Sequence, residues 1–347
     1  MGIYFNAGGK LREPKEIYAG AGGKLRKIKA VYAGKGGKPA LVWQAAPEKL
    51  AVWAAVGQGG AWTAPASPDP GAWTKGTGIP ASAVLHAVTY GNGRFVAVGE
   101  KGASYTSRDG KAWEAMSGLP ADRDFYGAAY GMGHFAAVGA GQAAYYSTDG
   151  RAWHAMAGTG GAGNYTCAAC HKGEYIVFFS DAGRAFFSED GEAYSQMPLD
   201  TNPCPGFAPA LYGTDGSGAV GQYCSYMDCL GYAGIARHQD KTSAVILRAY
   251  AGGMAVGLKG ACRMIGTSRN LAVEGLDPAE DYYAASWIRT GSSFSSTSII
   301  TTGSRGGVYK IYNTSEPECV KLGTGPSGIR GLCASAEDGR GWAAGYQ

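Results

Sequence analysis

The sequence predicts an all-β protein, a β-propeller of seven four-stranded blades closed by both chain ends and preceded by a small β-hairpin repeat module. Three observations carry this expectation. The 347-residue chain holds 58 glycines, and only 17% of it is charged; glycine punctuates strands and weakens helices, so many short strands should follow. A unit of about forty residues recurs, each copy ending in a hairpin: "YTSRDGKAW" from Tyr105, "YYSTDGRAW" from Tyr145 and "FFSEDGEAY" from Phe186. A shorter unit of fourteen residues fills the N-terminus, with Tyr4, Tyr18 and Tyr32 in register.

The N-terminal unit comes first in the chain. Its copies "YFNAGGK", "YAGAGGK" and "YAGKGGK" each end in a glycine turn and a lysine, and "LRKIKAVY" alternates apolar and basic residues. That alternation is the period of a strand with one buried face. Units this small cannot fold singly and should pack on one another, on a second copy or on a neighbouring protein. Residues 1–43 carry nine Lys or Arg against Glu13 and Glu16, whereas the remainder holds 22 basic and 25 acidic residues. The excess is read as lysines solvating the turns and outer faces of a β module, so no nucleic acid is expected as a partner. The glycine-lysine turns are not phosphate loops, because neither Ser nor Thr follows the lysine. Residues 44–49 read as a linker, and 50–347 as the propeller.

Within the propeller, "LHAVTYGNGRFVAVGEKGASYTSRDGKAWEAM" from Leu85 aligns without a gap to the copy from Tyr126, and a third copy starts at Tyr165. Each divides into four short strands. Asn92-Gly93 and Asp109-Gly110 supply reversals of the kind that favour positive φ angles. The run Phe95 to Val98 is apolar throughout, as in a strand covered on both faces. Weaker copies begin near Leu211, Leu247 and Ser286. An abbreviated unit from Leu50, with Ser67, Asp69 and Trp73 in register, lacks an opening strand, and "GLCASAEDGRGWAAGY" at the C-terminal end matches the first two strands of a unit, so the two ends are expected to complete one blade between them. Repeated four-stranded units of this length indicate a propeller.

Two resemblances extend the reading. The "GGKLRKIKAVYAG" repeats resemble a module at the N-termini of tail-associated proteins of bacteriophages and prophages. Ser107, Asp109 and Trp113, then Ser147, Asp149 and Trp153, then Ser188, Asp190 and Tyr194, resemble the Asp-box of sialidase-like propellers, except that glycine here follows the aspartate directly. That resemblance implies a structural role, with Ser and Asp bonding the turn and the ring packing between blades. No Arg-Ile-Pro signature stands near the first blade, so no catalytic residue is assigned and the protein is expected not to be an enzyme.

The cysteines and histidines give no metal site and no cofactor. "CAACH", Cys167 to His171, matches a haem-attachment pattern, but residues three apart on a strand face opposite ways, so both thiols cannot easily reach one group. Cys224 and Cys229 bracket "SYMD", near enough across a hairpin for a disulfide or two ligands; a reducing cytosol would keep them as thiols. No apolar run reaches the roughly 20 residues of a membrane span, and the N-terminus shows no signal peptide, so neither membrane insertion nor export is expected.

A binding site, if propeller topology holds, lies where the loops between second and third strands meet those that join one blade to the next. The candidate ligand contacts are Asp122, Arg123, Asp124, Asp181 and Asn202 as hydrogen-bonding groups, with Tyr126, Tyr165 and Phe207 as stacking rings. The expected function is a non-enzymatic phage virion protein of the tail or tail tip, assembled in the host cytoplasm and present in several copies. Residues 1–43 would attach to other virion proteins, and the loop face would bind a bacterial surface glycan or protein. The alternatives are an architectural tail or capsid protein and, third, a hydrolase of surface glycans.

Overall fold

In the computed structural model, residues 52–67, 69–158, 163–171, 175–180, 184–196, 254–264, 271–289, 297–312 and 317–335 are described, together with the strand backbones of 5–7, 10–12, 17–21, 24–28, 30–35, 38–44, 208–212, 221–225, 235–237, 239–240, 245–251 and 341–345. The chain divides into two compact units, Met1–Lys49 and Leu50–Gln347. The first consists of antiparallel hairpins: Phe5–Ala7 with Lys10–Arg12, Ile17–Ala21 with Lys24–Ile28, and Ala30–Lys35 with Lys38–Gln44.

The second unit is built almost wholly from antiparallel sheets, and its only described helical elements are 3-10 turns of three residues such as Glu100–Gly102. Two sheets have the simple order first-second-third-fourth strand: Leu85–Gly91, Arg94–Gly99, Ser104–Ser107 and Glu114–Ala115, then Phe125–Gly131, His134–Gly139, Ala143–Ser147 and His154–Ala155. A third begins with Tyr165–His171, Tyr175–Ser180, Ala185–Ser188 and Ala193–Gln196, and Ala157–Gly158 joins its outer edge in parallel. Ala208–Tyr212 and Val245–Ala251 lie in sheets of their own, the latter with Gln239–Asp240 on its other side, whereas Tyr282–Arg289 belongs to a nine-stranded sheet that also holds Ile329–Ser335 and Val52–Gly57. At the other end of the sequence, Ile329–Ser335 pairs antiparallel with Val52–Gly57, followed by Gly60–Pro65 and Thr74–Lys75.

Burial follows from this stacking. Every residue of Leu85–Gly91 and Arg94–Gly99 is buried, because sheets lie against both faces, and this accounts for the unbroken apolar run Phe95 to Val98. The first strands of neighbouring sheets approach backbone to backbone. A Cβ on Gly127 would stand 2.6 Å from the Ala168 amide nitrogen, so only the smallest side chain fits there. Each interface has its own cluster, such as Trp53, Ile300, Ile329 and Leu332 in one, and Tyr165, Phe178, Phe186 and Tyr194 in another.

Two expectations need correction. The Asn92-Gly93 reversal has both residues at positive φ, 46° and 71°, as a tight two-residue hairpin requires. Asp109-Gly110 does not form one: only Gly110 is positive, at 72°, and residues 108–113 separate the paired strands. The Asp side chain competes for the turn amides and opens a wider loop. Likewise, the C-terminal segment does not add two strands in succession to the Val52 sheet. Gly341–Gly345 lies on the other side of Ile329–Ser335 and also pairs with Tyr282–Arg289, since Val52–Gly57 already occupies the second-strand position.

Candidate functional site

The three Ser-x-Asp-Gly loops are built alike. Ser107 Oγ accepts from the Gly110 amide at 2.8 Å, and Asp109 Oδ1 accepts from the amides of Lys111 and Ala112 at 2.8 and 3.0 Å. Ser147 and Asp149 repeat the pattern with Gly150, Arg151 and Ala152, and Ser188 and Asp190 with Gly191, Glu192 and Ala193. Partial burial disfavours ionisation of Asp109 and Asp149, but the amide and serine bonds outweigh it and hold both carboxyls below their ordinary range. At Asp190 the Ala193 amide is itself the largest influence, and the shift is again downward. These carboxylates are therefore acceptors committed to their own loops.

The aromatic residue that ends each loop joins two sheets. Trp113 is buried, its indole N–H donates to the Gly110 carbonyl at 2.7 Å, and its backbone N–H donates to the carbonyl of Thr77, which follows the fourth strand of the preceding sheet and whose own amide donates to the Lys111 carbonyl. The Trp153 amide likewise donates to the Ser117 carbonyl while the Ser117 amide donates to the Arg151 carbonyl, and the Ala157 amide donates to the Glu192 carbonyl beside Tyr194. Gly78, at φ +89°, leaves no room for a Cβ, which would sit 2.0 Å from the Trp113 carbonyl oxygen.

The opposite ends of the strands carry the candidate ligand contacts. Asp122 is exposed. Arg123 is also exposed and donates to the Gly141 carbonyl at 2.9 Å. Asp124 accepts from the Lys101 amide at 2.8 Å, so its carboxylate ties the junction between sheets to the 3-10 turn of the preceding sheet. Tyr126 is half-buried with its ring centroid 5.5 Å from that of His86. Tyr165 is not a stacking surface: it is fully buried, packed between Phe178, Phe186 and Tyr194, because it opens a first strand at the position held by Leu85 and Phe125. Asp181, Asn202 and Phe207 lie outside the described residues, as does Cys229.

Two kinds of residue at this end escaped the sequence reading. Asn164 accepts from the Gly141 amide at 2.9 Å and Asp281 from the Lys259 amide at 2.9 Å, which repeats the tie made by Asp124. The signal was present as an Asp or Asn immediately before the aromatic residue that opens a first strand: Asp124-Phe125, Asn164-Tyr165 and Asp281-Tyr282. The donors Lys101, Gly141 and Lys259 all have positive φ, from 53° to 60°, which turns their amides toward the following junction.

The second kind is a polar cluster of His86, Glu100 and Arg330. Burial, with help from the Arg330 charge, lowers the His86 pKa to about 4, against an opposing pull from Asp124. The ring is therefore neutral near pH 7. Arginine can only donate, so the 3.2 Å contact of Arg330 Nη1 makes His86 Nδ1 the acceptor and leaves the proton on Nε2, 3.8 Å from Glu100 Oε1. The same Glu100 oxygen stands 3.9 Å from Arg330 Nη1.

The CAACH segment is a strand with Cys167 paired to Phe179 and Cys170 to Ile176. Cys167 is buried; Cys170 fills the space above Gly131 that Tyr130 fills above Gly91. Both behave as packing residues. Cys262 and Cys319 are buried thiols with sulfurs 4.0 Å apart. Among the described residues, no group of three or more His, Cys, Asp or Glu side chains is arranged to hold a metal ion, and no helix is long and apolar enough to cross a membrane.

No family model matches the chain, and no curated protein matches it in sequence. Solved structures do resemble it in shape. YCF48 from Cyanidioschyzon merolae is 11% identical with a TM-score of 0.48, over 79% of this chain and 98% of that one. The WD40 β-propeller domain of Doa1 is 11% identical with a TM-score of 0.48, over 76% and 93%. The computationally designed protein Ika8 is 14% identical with a TM-score of 0.49, over 87% and 95%.

Proposed function

We propose that residues 50–347 form a seven-bladed β-propeller closed by pairing of the two ends of that unit, and that the protein is a non-enzymatic phage virion component. Its loop face binds a bacterial surface glycan or protein, and residues 1–43 attach it to other virion proteins. The observation that carries the binding role is the recurrent tie between adjacent loops, Lys101 to Asp124, Gly141 to Asn164 and Lys259 to Asp281. Loops fastened in this way present fixed polar and aromatic groups and lose little entropy when a ligand arrives. First strands beginning at Leu85, Phe125, Tyr165, Ala208, Val245, Tyr282 and Ile329 support the blade count. Pairing of Ile329–Ser335 with Val52–Gly57 supports closure. The virion assignment rests on the resemblance of the N-terminal repeats to tail-associated proteins.

Several copies on one particle would make weak single contacts sufficient. The test is binding of the labelled full-length chain, alone and in multivalent form, to intact cells of the candidate host before and after periodate treatment. Saturable binding lost on periodate supports a glycan receptor, and binding lost on surface proteolysis supports a protein one. No binding in either form would overturn the receptor role and leave an architectural one.

A further inference from the structure

Four interfaces between successive sheets are assembled on one plan. The residue that follows a fourth strand donates its amide to a third-strand carbonyl of its own sheet: Gly76 to Ala61, Met116 to Ser104, Met156 to Ala144 and Val273 to Cys262. Two residues further on, a glycine lies on the backbone of the next sheet. A Cβ on Gly78, Gly118, Gly158 or Gly275 would stand 2.0, 2.4, 2.7 or 2.4 Å from the carbonyl oxygen of Trp113, Trp153, Tyr194 or Cys319, respectively.

These two markers make Cys262 the counterpart of Ala61, Ser104 and Ala144, and Cys319 the counterpart of Trp113, Trp153 and Tyr194. Three interfaces thus match an aromatic residue with a small one; Ala61 and Trp113 share one core cluster, and Ala144 and Tyr194 another. In the fourth, both members are cysteines. One cysteine in place of a ring would leave the interface without its clasp, whereas two cysteines can supply a covalent one.

The geometry suits that bond. Both thiols are buried, Cys262 at 1% and Cys319 at 8% exposure, and their sulfurs lie 4.0 Å apart. A disulfide holds its sulfurs about 2.0 Å apart, so a further approach of about 2 Å completes it. Met254, Val256, Ile299 and Ile311 pack in the same cluster, all fully buried, and shield a finished bond from reducing thiols. Cys319 stands on Glu318–Thr324, the end strand of its sheet, and an end strand, laddered on one side only, opens more readily than a central one. Such opening admits a water-sized oxidant where a bulky thiol reagent is excluded.

We infer that Cys262 and Cys319 form an oxidative modification site, at which hydrogen peroxide creates a disulfide that staples the Val245–Ala251 sheet to the Tyr282–Arg289 sheet. The Cys319 thiolate attacks one peroxide oxygen and the O–O bond breaks. That oxygen stays on sulfur as a sulfenic acid, and the other leaves as water with the thiol's proton. The Cys262 sulfur then attacks the Cys319 sulfur, the S–O bond breaks, and the departing hydroxyl takes the Cys262 proton as a second water. Two thiols are oxidised and one peroxide is reduced. The site goes beyond the surface-binding role and stands whatever the loop face binds.

In the test, the reduced full chain is exposed in its native state to a small excess of hydrogen peroxide, quenched with catalase, denatured, alkylated and digested. Mass spectrometry should find a peptide pair linked through Cys262 and Cys319, ahead of any other cysteine pair. The bond closes a loop across 57 positions of sequence, so oxidation should raise Tm by on the order of 5–10 °C, and dithiothreitol should reverse the rise. Cys262→Ala, with the side chain that Ala61 and Ala144 already carry at the same place, should abolish both the linkage and the rise. The wild-type linkage and its reversal keep the test open if that variant fails to fold. Sulfinic acid at Cys319 without linkage, linkage formed only after denaturation, or an oxidised Tm no higher than the reduced one would overturn the site.

Discussion

Trp113 and Trp153 occupy the same place in consecutive copies, each 4% exposed, but their indole nitrogens fare differently. Trp113 Nε1 donates to the Gly110 carbonyl at 2.7 Å, whereas Trp153 Nε1 is buried with no acceptor among the described residues. Replacing each by phenylalanine removes a similar volume from a similar interface, so the cavity cost is nearly common to both. The polar costs are opposite in sign. Trp113→Phe leaves the Gly110 carbonyl without its donor, which costs about 1–3 kcal/mol, and Trp153→Phe deletes a buried unsatisfied donor and so recovers part of a similar sum. Trp113→Phe should therefore be the more destabilising by about 2 kcal/mol. Equilibrium urea unfolding of the full chain, followed by fluorescence and far-UV circular dichroism and compared at midpoints with a common slope, reads this difference. Equal losses within about 0.5 kcal/mol, the usual error of additivity between independent sites, or a larger loss at Trp153, would refute the assignment of the two indoles.

Two further outcomes follow from the same loops and strands. The folded pKa of Asp149 lies below its ordinary value of 3.8, so the unfolded chain binds the proton more tightly and the stabilisation is complete above that value and lost as pH falls through the folded one. The advantage of wild type over Asp149→Asn in urea unfolding should accordingly be present at pH 6 and shrink below about pH 4; a difference independent of pH would contradict the loop geometry. Cys167, Cys262, Cys319 and Cys333 are buried, and burial pushes the Cys333 thiol well above its ordinary pKa. Thiol reagents at neutral pH should label these four only after denaturation, and rapid labelling in the native state, located by peptide mapping, would show the sheets packed otherwise.

The sheets between Leu85 and Gln196 were legible because three copies keep their spacing and because apolar runs such as Phe95 to Val98 admit only a doubly covered strand. Tyr165 was misread for a reason the repeat itself exposes. It follows a polar loop and so reads as a ring available for stacking beside that loop, yet its register with Leu85 and Phe125 makes it the opening core position of a strand. The Asp109 loop was misjudged because dipeptide preference describes the backbone, whereas here a side chain captures Lys111 and Ala112 and sets the loop length. Asp124 resembles a ligand contact when taken alone, because a single polar loop residue does not say which amide it will meet; the tie shows only in the recurrence of Asn164 and Asp281 at the same place. The one-residue slip in pairing between Leu85 and Ala87, a β-bulge that five other first strands repeat, was invisible because strands apolar on both faces have no alternation for such a slip to disturb.

The pairing of Val52–Gly57 with Ile329–Ser335 bears on synthesis. Val52 and Ser335 bond to each other across 283 positions of sequence, so the early strand leaves the ribosome long before its partner exists. At the usual 5–20 residues per second the wait is roughly 15–60 s. Through that interval Val52–Gly57 has a bare edge beside buried Trp53, and such edges invite pairing with other nascent chains. Premature termination shortly before Ile329 would make the wait permanent, and the product should behave as an aggregating fragment even though most of its strands have been made.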